Sequence, residues 1–109
     1  MSEVPRTEKF GNLLRELAAE FLARNAGRES MITVTGARVS PDLKRGTVLI
    51  SVLPTKDEEN ALGFCKRRRS EFRDFMKKNL KTKVIPFIDF EIDYGEKNRQ
   101  KIDELLKNK

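Results

Sequence analysis

One apolar stripe in this chain is interrupted at its centre, and the interruption limits what the chain can fold into. Ala61, Leu62 and Cys65 recur at helical spacing, and Phe72, Met76 and Leu80 continue the same line. Between the two runs, the stripe positions 68 and 69 are both arginine. On a straight, core-facing helix these guanidinium groups would be buried away from water, which is costly. The helix must therefore overhang the core or bend. Serine is a good N-cap, so a break at Ser70 that starts a second segment is expected.

The same stretch holds most of the charge. Lys66 to Lys83 carries nine Lys or Arg against two acids, +7 in all, while the whole chain is +6. The remainder is thus close to neutral. Phe72, Phe75, Met76 and Leu80 interrupt the charges at helical spacing, which describes a folded helix with one cationic face and not a basic tail. Such a local excess points to a polyanion, nucleic acid before a membrane surface. There is no histidine and one cysteine, Cys65. An intramolecular disulfide is excluded, and a zinc site or a His-based triad is implausible. Cys65 itself reads as a small buried hydrophobe. No run approaches the ~18 apolar residues of a membrane span, and the first residues lack an apolar signal-peptide core. A cytoplasmic protein is expected, folded as one domain over residues 1–109 with an ordered core at about 6–106 and only modest stability.

Along the chain, Thr7 is the expected cap of a first helix running to about Asn25. Its buried stripe is Phe10, Leu13, Leu14, Leu17, Ala18, Phe21 and Leu22, and Gly27 suits a left-handed stop. Met31 to Val39 alternates as a strand with a bulge at Gly36. Pro41 and Gly46 shape a turn. Thr47 to Leu53 then returns as an antiparallel partner, with Val48, Ile50 and Val52 on one face. Pro54 stops that strand, and Thr55 with Glu58 fits a capping box opening the long helix. Pro86 starts a third strand reaching about Asp93, in which Asp89, Glu91 and Asp93 should face solvent. A short helix follows from Gly95, with Ile102, Leu105 and Leu106 as its apolar contacts.

This order of elements resembles a type II KH domain. Ile32 to Leu53 looks like the first hairpin of the ribosome-binding factor A family, most tellingly at Ser40-Pro41-Asp42-Leu43. Ile85 to Asp93 is similar to that family's third strand, and Ile102-Asp103-Glu104-Leu105-Leu106 resembles its closing helix. The resemblance covers roughly residues 6–106. It implies an α+β fold: a single KH type II-like domain of order α-β-β-α(kinked)-β-α, with a three-stranded sheet and helices packed on one face. It also implies a factor that is not an enzyme and has no cofactor. Such a factor binds the small ribosomal subunit and its rRNA during late maturation, then leaves. The chain departs from the pattern in two places. It has no Gly-x-x-Gly loop, and the family's Ala-x-Gly helix kink falls on Arg68-Arg69-Ser70, so Arg68 and Ser70 replace both small residues.

RNA contact is assigned to Lys66, Arg67, Arg68, Arg69, Arg73, Lys77, Lys78, Lys81 and Lys83. Successive helical residues diverge by about 100°, so Arg67, Arg68 and Arg69 cannot share one phosphate strand unless the helix breaks. Free amides at a break would add an anion site. Arginine suits bidentate phosphate contacts, and lysine acts as a point charge. Lys44 and Arg45, at the hairpin tip, are either a second contact or a solubility device. Phe64 and Tyr94 are candidates for stacking on bases, Phe64 the freest, while Phe10, Phe21, Phe72, Phe87 and Phe90 are committed to the core. Asp89, Glu91 and Asp93 could in principle pair for metal or acid–base chemistry. They read instead as ordinary surface, and no catalytic residue, metal or small-molecule substrate is expected. Two other functions stay open. One is a stand-alone KH-like module for single-stranded RNA, disfavoured by the missing Gly-x-x-Gly loop. The other is a module that docks an acidic protein. A monomer is the expected state.

Overall fold

In the computed structural model, which describes residues 6–25, 31–81, 84–95 and 105–106, the interrupted stripe becomes two helices. The elements are α1 (Arg6–Asn25), β1 (Met31–Val39), β2 (Arg45–Leu53), a 3-10 turn (Thr55–Asp57), α2 (Glu58–Arg67), α3 (Arg69–Asn79) and β3 (Phe87–Ile92). The sheet order is β1-β2-β3, with β1 antiparallel and β3 parallel to the central strand. A parallel pair needs a crossover, and the broken helix α2–α3 supplies it. This is the α+β, KH type II-like arrangement expected from the sequence.

Strand alternation fixes which face is covered. Val48, Ile50, Val52, Ile88, Phe90 and Ile92 share one side of the sheet. They are buried with Leu14, Leu17, Ala18, Phe21 and Leu22 of α1, Ala61 and Cys65 of α2, and Phe72 and Met76 of α3. Phe72 is the hub, with ring centroids 5.2 Å from Phe21, 5.9 Å from Phe90 and 6.4 Å from Phe75. Those separations lie in the range where aromatic pairs attract.

The bulge forms where the sequence places it. Val34 pairs with Ile50 and Gly36 with Leu49, which leaves Thr35 as the extra residue. The Thr35 hydroxyl donates to Asp93 Oδ2 at 2.6 Å, and the Asp93 amide donates to the Ile50 carbonyl at 2.8 Å. The end of β3 is thereby tied across β2 to the bulge in β1.

Several local expectations are corrected. Thr7 lies inside α1, which includes Arg6, so it is not the cap. Thr55 makes no capping box, because Thr55–Asp57 wind as a 3-10 turn whose Asp57 amide donates to the Pro54 carbonyl at 3.0 Å. That turn moves the start of α2 to Glu58, and neither start has a side-chain cap hydrogen bond. Gly46 is not the left-handed turn residue; Leu43, at φ 60°, is. The Leu43 turn is held by polar neighbours: Asp42 Oδ1 accepts from Ser40 Oγ at 2.6 Å and from the Lys44 amide at 3.1 Å. Ser40 Oγ in turn accepts the Arg45 amide at 3.0 Å. Gly46 is needed for close approach instead. A Cβ there would stand 2.8 Å from Ile88 Cδ1 and 3.0 Å from Leu14 Cδ2.

Phe87 is also not in the core. Ile88, Phe90 and Ile92 take the covered side, so period-two alternation puts Phe87 on the other, where it is 57% exposed. Leu105 and Leu106 are helical but exposed, not packed on the core. Gly27 and Ile102 lie outside the described residues.

Candidate nucleic-acid interface

The helix breaks at Arg68, not at Ser70. Arg68 has φ −101° and ψ 12°, in the sparsely populated bridge region between helix and strand. Its amide donates to the Cys65 carbonyl at 3.1 Å and its carbonyl accepts the Phe72 amide at 2.9 Å, so one residue closes α2 and opens α3. Ser70 lies in the first turn of α3, which has no side-chain cap hydrogen bond. The position follows from burial. Cys65 and Phe72 are both fully buried. On a straight helix Arg68 and Arg69 would lie between them on that same face. A break at Ser70 would leave both arginines on the buried side, whereas a break at Arg68 leaves them half-buried at the edge of the core.

Each arginine of the expected triplet then goes a different way. The Arg68 guanidinium lies 4.4 Å over the Phe64 ring and donates to Glu71 Oε2 at 3.0 Å. Phe64, the expected stacking residue, is therefore covered on one face by its own chain. Arg69 Nε donates to the Lys66 carbonyl at 3.1 Å, and Arg69 Nη1 reaches Asp89 Oδ1 at 3.3 Å. The Lys66 ammonium meets that same oxygen at 3.1 Å. Arg67 is exposed, with its guanidinium against Gly63. Lys66, Arg68 and Arg69 are thus engaged inside the fold. The first turn of α3, the expected anion site, already carries the Glu71 carboxylate, which pairs with Arg68.

Asp89 and Glu91 of β3 and Asp93 just after it do not form a solvent-facing row. Asp89 takes Lys66 and Arg69, because β3 is the edge strand and long side chains from the helix junction can wrap round it. Partial burial pushes the Asp89 carboxyl up. Hydrogen bonds from the Phe90 amide and Lys66, with the nearby Lys66 and Arg69 charges, outweigh that and hold it below the usual carboxylate range. Asp93 binds Thr35. Glu91 is 3.6 Å from Arg38 in an exposed pair, which contributes little.

What remains open in the basic stretch is Arg67, Arg73, Lys77, Lys78 and Lys81, with the exposed acid Asp74 among them on α3. All five are exposed and make no ion pair among the described residues. Arg73, Lys77 and Lys78 project from α3 while Phe72 and Met76 of the same helix are buried. Lys83 lies outside the described residues. Lys44 and Arg45 are exposed at the hairpin end, and the fold brings them to the start of β3. The Phe87 amide donates to the Lys44 carbonyl at 2.8 Å, and Arg45 stands opposite Phe87 in the register. The Arg69 guanidinium is 5.6 Å from the Phe87 ring centroid. The hairpin tip and the helix junction, far apart in sequence, therefore meet at one aromatic residue.

Beside it is a cleft of about 250 Å³ lined by Arg69, Ser70, Arg73, Met76, Pro86, Phe87 and Ile88. Sequence reasoning missed it by assigning Phe87 to the core. The signal was present, since Phe87 has the wrong parity for a strand whose buried side is Ile88, Phe90 and Ile92. Cys65 is fully buried, and burial pushes its thiol up to about 11. Among the described residues no helix is long and apolar enough to cross a membrane.

Comparison with known proteins agrees with this fold. The family model described as ribosome-binding factor A matches residues 6–106. Ribosome-binding factor A of Rhodopseudomonas palustris strain BisB5 is 32% identical over 97% of this chain and 82% of its own length. The solution structure of a ribosome-binding-factor-A-like protein of Thermotoga maritima superposes with a TM-score of 0.71 at 25% identity, over 84% of this chain and 90% of that one. The fold is also similar to a homology model of Thermus thermophilus ribosome-binding factor A fitted into a cryo-electron-microscopy map of a 30S complex. That match has a TM-score of 0.66 at 20% identity and covers 74% of this chain and 88% of that one. With the family model matching residues 6–106 of its 109, this chain belongs to the ribosome-binding factor A family.

Proposed function

We propose that this protein is an assembly factor that binds the rRNA of the small ribosomal subunit during late maturation and does no covalent chemistry. It acts as a single KH-like domain, a cytoplasmic monomer. The observation that carries this reading is the set of exposed cations that runs from Arg67, before the α2–α3 break, through Arg73, Lys77 and Lys78 on α3 to Lys81 just after it, none of which forms an ion pair among the described residues. Family membership supplies the target class, since a relative from Thermus thermophilus has been fitted into a 30S complex. Lys83 extends the same run in sequence, and Lys44 and Arg45 form its second contact. Lys66, Arg68 and Arg69 first shape the junction and meet RNA secondarily. Phosphate contact of this kind positions a protein on RNA without reading its sequence.

Sedimentation of the tagged protein with precursor and mature small subunits tests the reading. Co-migration with the precursor is expected, and binding should weaken with salt. Neutralising about five phosphates gives a log–log slope of roughly −4 on duplex-like RNA. Migration with neither particle overturns the reading.

A further inference from the structure

We infer that the cleft between α3 and the start of β3 holds one unstacked nucleotide of the bound RNA, its base on Phe87 and its phosphate in the place that Asp89 occupies in the free protein. This rests on the RNA-binding reading above and names the RNA element that the junction takes. Lys66 and Arg69 converge on a single carboxylate oxygen, Asp89 Oδ1, at 3.1 and 3.3 Å. One anionic oxygen bridging two cations is the geometry a phosphate oxygen can reproduce, and Arg favours phosphate in a bidentate grip. Arg73 lines the same cleft, is exposed, and makes no ion pair among the described residues. Arg69 belongs both to this ion pair and to the cleft lining, and so links the phosphate position to the base position.

The rest of the cleft is apolar, from Met76, Pro86, Phe87 and Ile88. Phe87 is 57% exposed although it sits in a strand, and Arg69 approaches only to 5.6 Å. An exposed aromatic ring flanked by arginines is a platform for a splayed-out base. At about 250 Å³ the cleft is smaller than the roughly 300–1,000 Å³ of sites that enclose a drug-sized ligand. It has room for one planar ring and no longer segment. Asp89 then acts as a resident anion. It keeps Lys66 and Arg69 ordered, and it lowers affinity for any RNA that cannot displace it.

The test titrates the full chain with three fluorescent probes: an oligouridylate, an abasic ribose-phosphate oligomer of equal length, and a blunt RNA duplex of equal phosphate count. The wild-type protein is expected to prefer the oligouridylate over the abasic oligomer. Phe87→Ala should erase that preference, a loss of about fivefold to a hundredfold, the span of one base–aromatic stack, with duplex binding unchanged. Asp89→Asn should tighten binding to both single-stranded probes by about fivefold to tenfold, the effect of removing one unit charge at contact distance in near-aqueous surroundings. Both side chains are partly exposed, and circular dichroism of each variant confirms its fold. Equal binding of the two single-stranded probes by wild type, or an Asp89→Asn variant that binds no tighter, overturns the inference. Subunit sedimentation separates the two readings. If subunits still bind while the base preference is absent, only the cleft is wrong. If the preference holds while subunits do not bind, the assembly role is wrong.

Discussion

The Lys66 ammonium stands 3.1 Å from the Asp89 carboxylate, which ties the first residue of the basic run to the edge strand of the sheet. Arg69 joins it from the other side of the break. The cationic stretch therefore divides by role. Lys66, Arg68 and Arg69 are engaged with acids and an aromatic ring, and Arg67 and the residues further along α3 are open.

That division predicts two classes of charge mutant. Replacing Arg73, Lys77 and Lys78 together by Gln should leave stability within about 0.5 kcal/mol, as exposed substitutions usually do. It should also reduce the salt slope of RNA binding by about 2 to 3. Arg69→Glu should lose both binding and stability, because it sets a carboxylate beside Asp89. Urea titration and filter binding on the same variants distinguish the classes. A stability loss in the triple variant equal to that of Arg69→Glu would contradict the division.

Asp89 gives a pH dependence with a definite sign. Its carboxyl is held below the ordinary value of 3.8 in the folded state. Its contribution is then fully present above the unfolded value and is lost as pH falls through the depressed folded value. Wild type should exceed Asp89→Asn in stability by a constant margin near neutrality, and the margin should close below about pH 4. Denaturation at a series of pH values measures it; a margin that grows towards acid pH has the wrong sign for this pair.

Gly46→Ala should destabilise by about 1–2 kcal/mol, the lower part of the overpacking range. The added methyl meets Ile88 and Leu14, and both are buried with little room to withdraw. An alanine there that raises the midpoint would show that the α1–β2–β3 contact is loosely packed.

Phe72→Ala should cost about 3–5 kcal/mol. Phe72 is fully buried and meets Phe21, Phe75 and Phe90. For a domain of this size that is a large share of the total stability, so thermal unfolding should move to much lower temperature.

Cys65 should resist thiol reagents while the protein is folded. It is fully buried with its thiol raised to about 11, so little thiolate exists near neutrality. Labelling with a disulfide reagent should proceed only through opening of the structure and should accelerate in urea. Immediate stoichiometric labelling of native protein would place the thiol at the surface.

The sequence alone was enough for whatever depends on periodicity. The stripe of α1 apart from Leu13, which is exposed at its margin, the alternation of β1 and β2, the bulge beside Gly36 and the need for a break in the basic helix all follow from spacing, because a repeat of 3.6 or 2 says which side chains share a face. The break's position, the partners of the arginines and the exposure of Phe87 do not follow from spacing. They depend on which face the sheet presents to α2 and α3 and on β3 being the edge. The cap at Thr55 failed for a related reason, since a local hydrogen-bonding pattern competes with a 3-10 turn whose outcome the neighbouring residues decide. Lys66 meets Asp89, and Arg69 reaches both Asp89 and Phe87, because a parallel crossover returns the chain to the edge beside the helix junction. Side-chain periodicity encodes the elements, and only their packing in three dimensions decides which charges are paired and which are left open.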